Sequence, residues 1–215
     1  MPLRQLNGQN GALESISTVT VSLHALFVVQ SKQMGTVLDK EYQADDFCIE
    51  AVLGDAASIL ASFSCGNDAI DNYFRNQIKD DANVCYIYRD KRSQAVVGAA
   101  AVCCSGIILE NHHAIQLAPA IKIEDFAVSS AYQDTYFPGS DPGEMFYLSD
   151  AFLCELIVNL RSAAEETVGA RYIILYSVPD AEHFYERNFF EKFSDVMSPE
   201  RTWYIEGCIP MLLEI

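Results

Sequence analysis

Residues 118–178 constrain the fold most, because a strand-like run, a long amphipathic run and a second strand-like run follow one another there. Residues 118–128 (APAIKIEDFAV) and 172–178 (YIILYSV) are rich in β-branched and apolar residues, as strands are. Residues 148–170 between them carry apolar side chains at helical spacing, namely Phe152, Leu153, Leu156, Ile157, Leu160 and Ala164. Gly169 is placed to end that helix. The sequence therefore predicts a strand–helix–strand unit.

Further strand-like and helix-like segments lie on both sides of this unit. Residues 84–90 and 94–109 predict a hairpin, residues 201–207 and 208–215 a last pair of strands, and residues 110–117 a loop that contains His112 and His113. Upstream, residues 47–52 predict a strand, Asp55 a cap for a short helix, and Asn67 or Asp68 a cap for the next one. Strands interleaved with helices predict an α/β fold around a mixed sheet.

Two acidic residues interrupt the strand predicted at residues 118–128. Strict alternation puts Ile121, Ile123, Asp125 and Ala127 on one face and Lys122, Glu124, Phe126 and Val128 on the other. A carboxylate is therefore expected on each face of a strand that otherwise looks central. Solvated edge carboxylates are the ordinary explanation of such residues, and general bases are the functional one.

Charge and cysteine usage limit the class of partner. Fourteen Lys and Arg against thirty Asp and Glu give a net charge of −16, which opposes binding to phosphate backbones and favours amine-bearing partners. The seven cysteines are scattered without metal-ligand spacing, so we expect buried, reduced thiols and no metal. We find no signal-peptide pattern and no run of about 18 apolar residues, and so expect a cytoplasmic protein without membrane association.

The order of these segments, together with residues 179–190 (PDAEHFYERNFF), resembles the GNAT superfamily of N-acetyltransferases over about residues 47–215. Residues 63–74 (FSCGNDAIDNYF) are similar to the F-x-C-G-x-x-x-L-D-x-[FY]-[LF] segment of a subgroup that includes toxin-like acetyltransferases acting on aminoacyl-tRNA, with Ile70 in place of the leucine. The resemblance implies a mixed, mostly antiparallel sheet, splayed between its two middle strands and flanked by helices. It also implies a GNAT domain at residues 46–215.

Residues 1–45 form an extension of unassigned role in front of that domain. Within it, residues 17–30 (STVTVSLHALFVVQ) have the composition of a strand. Such a strand would permit a homodimer without indicating one.

The resemblance implies acetyl-CoA as acyl donor and a set of residues that bind it. Its pantetheine arm would pair with the strand edge at Phe126, Ala127 and Val128, and its pyrophosphate would lie over the start of the following helix. The family loop reads [QR]-x-x-G-x-[GA]; here Gln133 begins a longer segment, and Tyr147, Leu148, Ser149 and Asp150 stand at the helix start. Gly139 and Gly143 could supply backbone freedom within the insertion.

The resemblance also implies the residues that move protons. Family members often read N-x-x-A-x-x-[FL]-Y-x-x-x-G-F in the last helix; this chain keeps Ala181, Phe184, Tyr185 and Phe190, with Val178 for the asparagine and Phe189 for the glycine. Tyr185 is the expected acid that protonates the leaving thiolate, against the ordinary role of a core tyrosine. Glu124 is the expected base, with Asp125 as a rival.

The sequence thus predicts an acetyl-CoA-dependent N-acyltransferase working by direct amine attack in a ternary complex. A small or protein-borne primary amine suits the acidic chain better than aminoacyl-tRNA, which the subgroup resemblance leaves open. A binding or regulatory module that kept the fold and lost turnover is the rival, since the phosphate loop is irregular.

Overall fold

The apolar runs of the sequence become the strands of one mixed sheet. The computed structural model describes residues 38, 42–52, 54–78, 82–111, 114–141, 143, 145–193 and 207–215. Its strands are β1 (Phe47–Val52), β2 (Val84–Asp90), β3 (Val96–Asn111), β4 (Ala114–Val128), β5 (Tyr172–Ser177), β6 (Glu191–Lys192) and β7 (Ile209–Glu214). They lie in the order β1-β2-β3-β4-β5-β7-β6, antiparallel except for the parallel pair β4 and β5. The predicted mixed α/β sheet is confirmed.

The helices are short, apart from the crossover between β4 and β5. They are α1 (Ala56–Ile59), α2 (Asp68–Asn72), α3 (Leu148–Ala163) and α4 (Glu182–Arg187), with 3-10 turns at Ala44–Asp46 and Pro179–Ala181 and π turns at Tyr73–Gln77 and Ala164–Val168. Asp55 caps α1 and Asn67 caps α2 through their side-chain oxygens. Gly169 ends the crossover helix in the left-handed conformation, at φ 69°. The predicted caps are confirmed, and Asn67, not Asp68, is the cap of α2.

The sheet opens between its two middle strands. The last paired residues of β4 and β5 are Ile123 and Leu175. β4 continues along β3 as far as Val128, which pairs with Gly98, whereas β5 beyond Leu175 pairs with β7. The edge of β4 from residue 124 to residue 128 is therefore open on its β5 side, which is the splay that the resemblance implied.

A β-bulge at Glu124 lies where the sheet opens. Asp125 pairs with Ala101 and Ile123 pairs with Val102, so Glu124 is the extra residue. The bulge shifts the alternation by one position, so that Ile123 and Phe126 pack in one core and Ala127 packs in the other. The prediction that Ile123, Asp125 and Ala127 share one face is wrong, because the neighbouring strand creates the bulge and residue spacing does not reveal it.

Two apolar cores lie on opposite faces of the sheet. In β3, Ala100 belongs to the core under α3, whereas its neighbours in the strand, Ala99 and Ala101, belong to the core under α1 and α2. Stacked rings of Phe126, Phe152, Tyr88 and Phe47 run through the α3 core, with centroids 4.7, 5.3 and 5.8 Å apart. Gly98 admits this stack, since a Cβ there would lie 2.7 Å from the Phe152 ring.

The hairpin of β3 and β4 is longer than predicted. Asn111 pairs with Ala114, so the loop expected at residues 110–117 is mostly strand. Pairing between the two strands supplies the hydrogen bonds of both, which outweighs a polar local composition. His112, His113, the strand predicted at residues 17–30 and all but Gly207 of the strand predicted at residues 201–207 lie outside the described residues.

The chain just before the predicted domain boundary packs on the sheet. Tyr42 donates a hydrogen bond to Asp90 at 2.9 Å, and its ring stacks on Phe47 at 5.8 Å. The division into residues 1–45 and 46–215 stays a prediction.

Candidate functional site

The open edge of β4 presents main-chain groups that none of the described strands covers. The Ser129 amide donates to the Val97 carbonyl of the β3 segment at 2.8 Å. Because the peptide groups of successive strand residues point to opposite edges, those of Ala127 point to β3 and those of Phe126 and Val128 point to the open side. Of the three strand residues predicted to bind the donor, Phe126 and Val128 therefore offer their main chain.

Gln133 fastens the loop after β4 to this edge. Its Nε2 donates to the Val128 carbonyl at 3.0 Å and to the Cys65 carbonyl at 2.8 Å. The Ser130 amide donates to the Ser64 carbonyl at 2.9 Å. The side chain of Gln133 thus holds two loops together, and what remains on the open edge are the amide and carbonyl of Phe126 and the amide of Val128.

The start of α3 takes most of its hydrogen bonds from within the chain. The Leu148 amide donates to the Thr135 carbonyl at 2.9 Å, and the Tyr147 amide donates to the Asp150 carboxylate at 3.0 Å. The Asp150 amide donates to the Tyr147 carbonyl at 3.1 Å. Among the described residues the Ser149 amide has no acceptor, so Ser149 is the position at which this helix start can bind an anion.

A buried polar network centred on Asp150 joins α3 to α4. The Asp150 side chain is 4 % exposed and accepts hydrogen bonds from Arg187 Nε at 2.8 Å and Nη2 at 3.0 Å. It also accepts one from Asn188 Nδ2 at 2.9 Å, and that Nδ2 donates to the Phe184 carbonyl as well. A bidentate guanidinium fixes orientation as well as charge, so the network sets how α4 lies against α3.

Sequence reasoning missed Arg187 and Asn188. The only signals were a basic residue and an asparagine in the amphipathic run at residues 183–190. Arg187 and Asn188 meet Asp150 across separations of 37 and 38 residues, which a single sequence does not pair.

α4 lies against the open edge through its aromatic residues. The Phe184 ring stacks on Phe126 at 5.7 Å. Tyr185 is 8 % exposed and packs edge-on against Phe184 and Phe190. Burial, with the nearby Asp125 carboxylate as the lesser cause, raises the pKa of Tyr185 above its ordinary value of about 10. The phenol therefore stays protonated at neutral pH, as a proton donor must.

Glu124 is held at the apex of the splay by its neighbours. Lys122 Nζ lies 2.6 Å from Glu124 Oε2, and Cys103 Sγ lies 3.9 Å from the same oxygen. The Lys122 ammonium also lies 5.0 Å from the centre of the Tyr176 ring. The Glu124 side chain is 33 % exposed, so an incoming amine can reach it.

Asp71 holds the Cys-Gly segment at residues 63–67 in place through hydrogen bonds. Its carboxylate accepts hydrogen bonds from Ser64 Oγ at 2.6 Å and from the Cys65 amide at 2.7 Å, and it pairs with Arg75. Burial raises the pKa of the Cys65 thiol to about 11, so this cysteine is a thiol at neutral pH. Cys65 is only half-buried, and among the seven cysteines, all free, Cys85 and Cys208 are buried and Cys104 is exposed, so the expectation of buried thiols is wrong for most of them.

Most cations in the described part of the chain pair with carboxylates; the exceptions are Lys91, whose Nζ donates to the Asp45 carbonyl, and Arg161. Those in ion pairs are Arg75, Arg89, Arg92, Lys122, Arg171, Arg187 and Lys192. His183 is exposed beside Glu186, on a different face of α4 from Tyr185. Within the described ranges no cluster of His, Cys, Asp and Glu could hold a metal ion, and no helix has the length and hydropathy of a membrane span.

Comparison with solved structures identifies the fold. A tyrosine-to-phenylalanine mutant of the toxin AtaT, bound to the C-terminus of the antitoxin AtaR and acetyl-CoA, is 19% identical over 79% of this chain and 94% of its own, with a TM-score of 0.54. A tyrosine-to-phenylalanine mutant of KacT is 16% identical over 79% and 95%, with a TM-score of 0.55. AtaT complexed with acetyl-methionyl-tRNAfMet is 18% identical over 77% and 94%, with a TM-score of 0.52.

No protein-family model and no curated protein matches the sequence. At the identities of the solved structures the likeness establishes the fold alone. The GNAT fold expected from the sequence is confirmed.

Proposed function

From the GNAT fold of this chain, we propose that it is an acyl-CoA-dependent N-acyltransferase that moves an acetyl group from acetyl-CoA to a primary amine. The observation that carries this proposal is the open edge of β4 beyond Ile123, beside which α4 packs its Phe184 ring on Phe126, with Tyr185 against Phe184. Donor and amine would meet there in one ternary complex, and the amine would attack directly.

The residues around the open edge fit the donor. The amides of a pantetheine arm can pair with the Phe126 and Val128 main chain as an added strand does. A pyrophosphate can accept from the Ser149 amide at the α3 start, where the helix dipole favours an anion. Arg187 balances the buried charge of Asp150, so this carboxylate repels the phosphates less than an unpaired one would.

The other residues predicted to contact the donor instead pack or form hydrogen bonds within the protein around the site. Ala127 packs into the core under α1 and α2, and Gln133 ties two loops. Tyr147 stacks on Tyr136 with ring centres 4.9 Å apart, and Leu148 is fully buried. We propose that these residues, with Asp150, shape the site and that the main chain of Phe126, Val128 and Ser149 makes the contacts.

Acetyl-CoA, when bound, supplies an acyl group activated as a thioester. Glu124 takes a proton from the acceptor ammonium, directly or through water, since only the neutral amine attacks. The Phe126 amide points to the open side, where it can stabilise negative charge on the carbonyl oxygen. Tyr185 gives its proton to the departing sulfur. Asp125 is the second candidate base, because it lies near enough to influence Tyr185.

The acceptor that the charges support is a small or protein-borne amine. The chain carries −16, and seven of its described cations already pair with carboxylates, whereas Lys91 and Arg161 do not. A tRNA backbone would need clustered, unmatched cations to bind. The Glu124 carboxylate, which here binds the Lys122 ammonium, instead favours an acceptor with an ammonium group.

One observation favours aminoacyl-tRNA as a second candidate acceptor. AtaT, which shares the fold, has been solved with acetyl-methionyl-tRNAfMet, and residues 63–74 resemble the toxin-like subgroup. The hydrogen bonds to Asp71 give residues 63–67 a structural role, so the resemblance of this segment is weaker evidence for a tRNA substrate.

The proposal is tested by measuring CoA release from acetyl-CoA in the presence of diamines, lysine peptides or aminoacyl-tRNA. We expect release with a diamine or a lysine peptide and little with tRNA. CoA release with aminoacyl-tRNA and with neither of the other amines would instead support aminoacyl-tRNA as the acceptor. Donor binding without release for any amine would indicate a binding module that lost turnover.

A further inference from the structure

Lys122 lies at the apex of the splay, and the proposed reaction gives it no role. Ile123 and Leu175 are the last paired residues of β4 and β5, so Glu124 and Tyr176 are the first residues of the two strands beyond the pairing. Lys122 Nζ lies 2.6 Å from the Glu124 carboxylate and 5.0 Å from the centre of the Tyr176 ring. The amine thus lies between a side chain of β4 and a side chain of β5, next to the point where the two strands part.

We infer that Lys122 is itself an acceptor, and that the protein acetylates its own Lys122 Nζ. This inference rests on the proposed function, since it uses the same donor, base and acid. Glu124 is within hydrogen-bond reach of the nitrogen that must lose a proton, which is the first geometric requirement of a general base.

The surroundings of Lys122 hold its amine in place. Its side chain is 19 % exposed, although lysine is usually a solvated surface residue. The carboxylate of Glu124 and the face of Tyr176 are the two kinds of group that bind a primary ammonium, by charge and by cation–π attraction. The site therefore already contains a bound ammonium, and that ammonium belongs to the chain.

The chemistry balances with acetyl-CoA as the only co-reactant. The Lys122 ammonium gives one proton to Glu124 and becomes a neutral amine. Its nitrogen forms a bond to the thioester carbonyl carbon, the carbon–sulfur bond breaks, and the nitrogen loses a second proton. Tyr185 protonates the departing sulfur and is reprotonated, so one proton ends on CoA and one reaches solvent. The product is a neutral acetamide that no longer pairs with Glu124.

The inference is tested with the full-length chain and isotope-labelled acetyl-CoA, without added amine. After digestion, mass spectrometry compares acetylation at Lys122 with that at Lys91, whose Nζ donates to the Asp45 carbonyl in the turn beside β2, away from the splay. We expect Lys122 to react at least about tenfold faster than Lys91, because a held amine gains from proximity to the donor. The Lys122 rate should not depend on protein concentration.

Lys122→Arg is the matched control, because arginine keeps the charge and can keep the ion pair. The variant should bind acetyl-CoA as the wild type does and lose the fast acetylation, with no gain at Lys91. Equal labelling of Lys91 and Lys122, or labelling that scales with protein concentration, would overturn the inference. So would an unmodified Lys122 in protein that releases CoA with external amines, an outcome that leaves the proposed function intact.

A second readout needs no turnover. Acetic anhydride labels accessible lysines in the absence of donor, and CoA without an acyl group should protect Lys122 and leave Lys91 unprotected. If CoA binds and does not protect Lys122, the amine lies away from the sulfur and the inference is wrong. If neither CoA nor acetyl-CoA binds, the inference falls together with the proposed function.

Discussion

Tyr185 is a buried phenol that the structure keeps protonated beside the open edge. Tyr185→Phe removes one oxygen and leaves the packing against Phe184 and Phe190 in place. We expect kcat to fall by about 10²- to 10⁴-fold, because the leaving thiolate then lacks a positioned acid. The Kd for acetyl-CoA should stay the same. Steady-state kinetics and a donor titration measure both quantities.

Tyr88→Phe is the control for this substitution. Tyr88 is fully buried and donates to Glu155 at 3.3 Å, so the control also removes one buried hydroxyl. It should leave kcat nearly unchanged. Equal turnover in Tyr185→Phe and wild type would remove Tyr185 as the acid.

In the proposed reaction, Glu124 lowers the free-energy cost of deprotonating the acceptor amine. Glu124→Gln should reduce the rate about 10²-fold or more near pH 7, and the loss should shrink as pH approaches the acceptor amine's own pKa of about 10.4. A pH–rate profile of kcat/KM measures this. Glu50→Gln is the matched control, since Glu50 is also an exposed carboxylate in an ion pair, with Arg89. A loss independent of pH would point to substrate positioning instead.

Phe189 occupies a backbone conformation that suits glycine, the residue common in the family at this position. Its φ is 69°, in the left-handed region that a side chain with a Cβ rarely adopts. We expect Phe189→Gly to be about 1 kcal/mol more stable than Phe189→Ala, because alanine keeps the strained conformation. Urea unfolding of the two variants measures the difference. A more stable alanine variant would contradict this expectation.

At the scale of elements, Asp71 binds the segment at residues 63–67 to α2. Asp71→Asn removes charge-assisted hydrogen bonds from Ser64 and Cys65 and an ion pair with Arg75. We expect the free energy of unfolding to fall by about 1.5–3 kcal/mol. Asp68→Asn, an exposed change in the first turn of the same helix, should cost less. Urea unfolding near pH 7 compares the two variants.

The effect of Asp71 should depend on pH with a definite sign. Burial acts to raise the pKa of this carboxyl, but the hydrogen bonds from Ser64 and Cys65 outweigh it and lower the pKa below its ordinary 3.8. The stabilisation is therefore complete above about pH 4 and is lost as pH falls through the lower folded value. The difference between wild type and Asp71→Asn should shrink at about pH 3. A difference that grows in acid would contradict the assignment.

The sequence predicted those elements whose signals are local. Asp55, Asn67 and Gly169 were recognisable as caps because capping chemistry acts within a few residues. The bulge at Glu124 was not predictable, because it depends on how β3 and β4 register. Local signals therefore predicted the elements, whereas the pairing of β4 with β3 determined which face each residue of β4 takes.

Some contacts in the candidate site were also not predictable from the sequence. The network of Asp150, Arg187 and Asn188 joins two helices far apart in sequence. Lys122 and Glu124, which form an ion pair, are two residues apart, and strand alternation predicted both side chains on the same face of β4. The position of the Lys122 ammonium between Glu124 and the Tyr176 ring depends on where β4 and β5 separate, which the sequence does not show.

At the scale of the whole molecule, the proposed function requires an open strand edge to bind an acyl-CoA in a chain whose net charge is −16. Acidic charge opposes an anionic donor at long range. In the proposed function, binding therefore comes from directed main-chain groups, those of Phe126, Val128 and Ser149. Val128→Pro isolates one of them, because it removes an amide that points to the open side and leaves β3 paired.

The first measurement is a calorimetric titration of wild type and Val128→Pro with acetyl-CoA. We predict a micromolar Kd for the wild type, about −8 kcal/mol, and binding weaker by about fivefold to tenfold in the variant, the value of one hydrogen bond. Folded wild-type protein, free of copurified CoA, that does not bind at millimolar donor would contradict the account. An unchanged Kd in Val128→Pro would contradict the role of the open edge.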